Sequence, residues 1–150
     1  MIESPLPDSW RFLEGQHGDN PDGCKVEGTI TLYRVVRSDP PPLSAFFTDF
    51  WGRGRRHPMG GREKRWPLLL HSLSMFNDPV KAALIARENH IGDFVARLVL
   101  ETAPHGDVSV CLSPGRNPND PATYHFDVFG PPETLRKLVM RVDPLMTFLR

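Results

Sequence analysis

Residues 66–87, WPLLLHSLSMFNDPVKAALIAR, set an apolar run, a capped turn and a helical stripe in a row, and that order restricts the folds open to the chain. Leu68-Leu69-Leu70 is too short an apolar run for an independent helix, and the alternation after it reads as a strand. Leu68, Leu70, Ser72, Ser74 and Phe76 then share one face, and Leu69, His71, Leu73 and Met75 the other. Apolar side chains on both faces predict a strand covered on both sides. Asp78 is placed to cap the next helix, with Pro79 in its first turn, where a missing amide hydrogen costs nothing. Val80, Ala83 and Leu84 form a short stripe that returns this helix onto the sheet. Ser72 and Ser74 fall at the end of the strand, just before the helix start, where clefts form. The plainer reading makes them small residues beneath a packed loop.

A helical bundle does not fit the rest of the chain. Its 16 prolines in 150 residues call for short elements joined by stiff loops. At this length one domain with a single core is expected over residues 25–150. Residues 1–24, rich in Pro, Gly, Asp and Asn, read as a loosely ordered arm pinned by Trp10. The start, MIESPLPDSW, lacks the basic and apolar regions of a secretion signal, and no run reaches the length of a membrane span, so a cytoplasmic protein is expected. Cys24 and Cys111 lie far apart, outside any CxxC spacing, and are expected to be thiols. Lys plus Arg and Asp plus Glu are both 18, so net charge names no partner.

Lys25–Arg37 predicts the first strand from its Thr, Ile, Tyr and Val content. Tyr33 lies on one face with Thr29, Thr31 and Val35. Arg34 shares the other with Ile30, Leu32 and Val36, a guanidinium on an otherwise apolar face. Such a group needs a carboxylate, backbone carbonyls or a bound anion, because an unpaired buried charge is too costly. It therefore marks either an internal ion pair or a ligand site. Leu43–Trp51 reads as a short aromatic helix. Residues 52–65, GRGRRHPMGGREKR, carry Arg53, Arg55, Arg56, Arg62 and Arg65 among glycines. This basic loop reads as a grip on a protein or nucleic-acid partner, or as a solvated linker.

Phe94–Leu100 and Val108–Leu112 predict two more strands, and Thr123–Phe129 a last one. In the last, His125 and Asp127 share a face and form either a polar pair or part of an exposed strand surface. Glu133–Val139 and Asp143–Leu149 read as short helices. The six histidines show no HxxxH or HExxH spacing, and the chain has no GxGxxG after a strand, no GxxxxGK[ST] and no GxSxG. Those gaps remove a zinc-protease site, a phosphate loop and a nucleophile elbow.

Four stretches together, LYRVVRSDPP (32–41), LHSLSMFNDPVKAA (70–83), DFVARLVL (93–100) and YHFDVFGPPETL (124–135), resemble small ADP-ribosyltransferase-like proteins of unknown function. The resemblance implies an α+β fold, a split, mainly antiparallel sheet of about five or six strands with short helices packed on it. It implies NAD as the cofactor, held by Arg34 and Tyr33 on the first strand and by Ser72 and Ser74 on the second. A late strand orients the transfer, and here it offers His125 and Asp127 where the family has Glu or Gln. A non-catalytic binding or inhibitor module using the basic loop is the alternative.

Overall fold

The computed structural model describes residues 25–26, 28–48, 72–102, 107–112 and 125–149. The arm over residues 1–24, the apolar run Leu68-Leu69-Leu70 and the basic loop lie outside the described residues. The elements run β1 (Lys25–Val26), β2 (Gly28–Val36), a 3-10 helix at Leu43–Phe46, β3 (Leu73–Phe76), α1 (Pro79–Asn89), β4 (Phe94–Thr102), β5 (Ser109–Leu112), β6 (His125–Phe129), α2 (Pro132–Lys137), β7 (Val139–Pro144) and a second 3-10 helix at Leu145–Thr147. Every strand pairing is antiparallel, and the sheet order is β1-β5-β6-β3-β2-β4-β7. The fold is α+β, as expected.

The pairings are very unequal. β2 meets β4 in nine aligned pairs from Gly28↔Thr102 to Val36↔Phe94. β3 meets β6 in four. Between these halves β2 and β3 share a single pair, Tyr33↔Phe76. The sheet is thus split along a seam, with β5, β6 and β3 on one side and β2, β4 and β7 on the other.

The predicted strand over Lys25–Arg37 is two strands. Gly28 takes φ 97°, a left-handed conformation that breaks the extended run. Lys25 and Val26 pair with Cys111 and Val110 of β5 instead of continuing along β4. In a flat sheet β1 and β2 would stand four spacings apart, roughly 19 Å, whereas Val26 and Gly28 are at most about 7 Å apart along the chain. The sheet therefore curls until its first strand meets β5.

Each face of the sheet has its own cover. On one, Leu32 and Val36 of β2, Leu73 and Met75 of β3, Leu98 and Leu100 of β4, and Val128 of β6 pack against Phe46 and Leu135. On the other, Phe76 and Val95 pack under Ala82 and Ala83 of α1, with Tyr33, Val35, Leu145 and Phe148 at the margin. Both faces are apolar in sequence because both are covered.

The helix start follows the sequence expectation. The Val80 amide donates to Asp78 Oδ1 at 2.9 Å, and Pro79 occupies the first turn. The buried stripe differs from the one expected. Ala82, Ala83 and Ala86 are buried and Val80 is exposed, so the helix lies on the sheet by its smallest side chains. The chain leaves it through His90, at φ 53°, and returns over Gly92. A Cβ there would stand 2.6 Å from Val35 Cγ1 and 2.6 Å from the Val36 carbonyl oxygen.

Two other expectations are corrected. The helix expected over Leu43–Trp51 is a 3-10 helix ending at Phe46, after which Phe47 is extended. The helix expected over Asp143–Leu149 is the end of edge strand β7 and a short 3-10 helix. Pairing with β4 decides this: Asp143 lies opposite Val95 and Pro144 opposite Phe94. The register slips between Arg97 and Leu98, leaving Met140 as an extra, exposed residue.

Candidate functional site

The sequence-derived candidates lie on three neighbouring strands, β6, β3 and β2. Strand parity separates them into two groups. Tyr33, Ser74, His125 and Asp127 share one face, fixed by the aligned pairs Tyr33↔Phe76, Phe76↔His125 and Ser74↔Asp127. Arg34 projects from the opposite face, among Leu32 and Val36.

Ser74 is exposed, and Asp127 stands directly across from it. Side chains so paired have Cβ atoms about 5 Å apart. Ser74 lies in the middle of β3 rather than at its end, and Ser72 just precedes the strand, half-buried.

Asp127 corrects the reading of an exposed strand surface. Its residue is 2% exposed, although carboxylates are rarely buried and are depleted in strands. Beyond it in the same row comes Cys111 of β5, fully buried, and then Lys25 of β1. Cys111 is a thiol outside any disulfide. Its place beside Asp127 carried no signal in the sequence, because 16 residues and a strand boundary separate them.

His125 is half-buried, with its ring edge-on to Phe76 at a centroid separation of 5.2 Å and an interplanar angle of 81°. Phe76 sits between Tyr33 and His125 and separates the phenol from the imidazole. The result is an aromatic row, Tyr33–Phe76–His125, alongside a polar row, Ser74–Asp127–Cys111.

Arg34 lies at the seam. Its Nε donates to the Ala45 carbonyl at 2.8 Å, and its Nη1 to the Ser74 carbonyl at 3.0 Å. The guanidinium therefore ties β2 to β3 and to the 3-10 helix over the seam. Of the three acceptors considered from sequence, these two are backbone carbonyls. It meets Ser74 through the main chain, not the hydroxyl.

Chemically, the polar row supplies a hydroxyl beside a carboxyl, and His125 lies two residues along the same face. Carboxyl and imidazole groups so placed are suited to proton transfer or to orienting a hydroxyl-bearing ligand. Among the described residues no three His, Cys, Asp or Glu side chains gather as metal ligands, and no helix is long and apolar enough to cross a membrane. Arg53, Arg55, Arg56, Arg62 and Arg65 lie outside the described residues. Comparisons with protein-family models, with curated proteins and with solved structures return no match.

Proposed function

We propose that the chain is an NAD-binding, ADP-ribosyltransferase-like protein of the cytoplasm that modifies a protein or nucleic-acid target. One observation carries the reading: Arg34, Ser74 and the His125–Asp127 pair, spread over more than ninety positions of sequence, come from three strands that adjoin at the split of the sheet. In this reading Arg34 meets the cofactor's phosphates from its own face of the seam. Tyr33, Ser72 and Ser74 hold the nicotinamide ribose, and Asp127, with His125, orients the transfer. The basic loop with Arg53, Arg55, Arg56, Arg62 and Arg65 meets the target.

Calorimetric titration with NAD, followed by transfer from labelled NAD to added protein or RNA, tests this. Binding that Asp127→Asn weakens, together with label transfer, supports the enzyme. Absence of binding at millimolar NAD rejects it.

A second reading, a non-catalytic binding or inhibitor module, draws on the two carbonyls that engage Arg34. A guanidinium held that way serves as scaffold. Under this reading the chain binds its partner with NAD absent, and NAD leaves the melting temperature unchanged.

A further inference from the structure

Among the described residues, β7 pairs with β4 and with no other strand. The Leu145 amide donates to the Asp93 carbonyl at 3.2 Å. Bonding residues alternate along an antiparallel ladder, so Asp143 and Arg141 also bond towards β4, and the N–H and C=O of Val142 point away from it. Pro144 falls at a second outward position, where the amide hydrogen it lacks has no ladder partner to lose. The bulge at Met140 closes the other end of the stretch. What remains is a short open edge centred on Val142.

The side chains along this edge complement themselves. Arg141 and Asp143 lie two residues apart and so share a face. Arg141 Nε donates to Asp143 Oδ1 at 3.0 Å, which uses one end of the guanidinium. Nη1 and Nη2 have no partner among the described residues, and the side chain is 67% exposed. An antiparallel second copy with its two-fold axis at Val142 sets each Arg141 opposite Asp143 of the other copy. Both are non-hydrogen-bonded pairs, the kind whose side chains approach most closely. An axis at Arg141 or at Asp143 would set like charges face to face instead. Charge therefore selects one register over its neighbours. Met140 and Met146, the most exposed of the large apolar residues described, bracket the same stretch. In this register Met140 aligns with Pro144 of the second copy, close to its Met146.

We propose that the β7 edge is an interface with a second copy of this chain, related by a two-fold axis at Val142 that joins the two sheets into one. Two backbone bonds between the Val142 residues and two reciprocal Arg141–Asp143 pairs hold it. So short an interface gives a reversible, concentration-dependent pair. None of these residues belongs to the proposed cofactor site, and the interface does not depend on NAD.

Sedimentation velocity of the full chain over a range of concentrations tests this, at low salt, where exposed ion pairs are least screened. The parent is expected to pass from monomer to dimer as concentration rises. Arg141→Asp sets Asp against Asp, and Asp143→Arg sets Arg against Arg, so each alone should weaken association at least about tenfold. Mixed in equal amounts, the two variants should associate again, because each Asp of one then faces an Arg of the other. The chain carrying both changes should pair as the parent does. Val142→Pro removes an amide that β4 does not use, and should be monomeric with the Leu145 amide still protected from hydrogen exchange.

A parent that stays monomeric up to millimolar concentration overturns the proposal. So does a dimer that survives either single charge reversal or Val142→Pro. Failure of the two mixed variants to associate, where the parent dimerises, places the contact elsewhere and overturns it as well.

Discussion

Arg34 donates to the carbonyl of Ser74, 40 residues further along the chain, at 3.0 Å across a seam where β2 and β3 align at one pair. The side chain does part of the work that a backbone ladder does elsewhere in this sheet. Removing it should show in stability as well as in binding. We expect Arg34→Ala to cost about 1.5–3 kcal/mol, the range for hydrogen bonds to a charged group. Urea denaturation measures it. A loss within about 0.5 kcal/mol, typical of an unimportant surface change, would show that the bonds to Ala45 and Ser74 contribute little.

Gly92 is expected to tolerate no side chain. An alanine methyl would press on Val35 Cγ1 and on the Val36 carbonyl, and the second of these is backbone that also accepts from the Asp93 amide at 3.2 Å. Gly92→Ala should destabilise by about 1–3 kcal/mol, as overpacking does. Thermal melting of the variant gives the answer, and an unchanged melting temperature would mean the turn after α1 yields freely.

Asp78→Ala should cost about 0.5–2 kcal/mol by removing the cap on the Val80 amide. Asp78→Asn should restore most of that loss, because an amide oxygen accepts the same bond. If Asn and Ala variants melt together, the charge rather than the cap carries the effect.

Phe46, fully buried over the first face of the sheet, links the 3-10 helix to the core that also holds Leu135. Its replacement by Ala should cost about 3–5 kcal/mol. A smaller loss in denaturant titration would mean that neighbouring side chains collapse into the space.

The thiol count should be two in unfolded, unreduced protein. The chain has two cysteines, and Cys111 is outside any disulfide. In the native state Cys111, fully buried, should resist labelling. Finding no reactive thiol after unfolding would contradict that arrangement.

Most of the strands were legible because alternation is a local property. The parity of Leu32, Arg34 and Val36, and of Phe126 and Val128, follows from a period of two, and the Asp78-Pro79 start from two adjacent residues. Alternation names the face but not what lies over it, and so Asp127 was readable as exposed although it is buried. β7 was missed for a related reason. VMRVDP lacks the alternation of a half-buried strand and is a strand because it pairs with the edge of β4. The acceptors of Arg34 were out of reach, since main-chain carbonyls leave no mark in side-chain pattern. The break at Gly28 was equally hidden, because a glycine inside a strand pattern does not by itself reveal that its φ is positive.

The curl of the sheet also sets an order in time. Lys25 and Val26 find their places only against Val110 and Cys111, more than eighty residues later in the chain. During synthesis this early pair has nothing to join until β5 has emerged, whereas the pairing of β4 with β7 closes over a far shorter span. Contacts of such long reach are slow to form. In refolding, the closure of β1 on β5 is therefore expected to follow the pairing of β4 with β7.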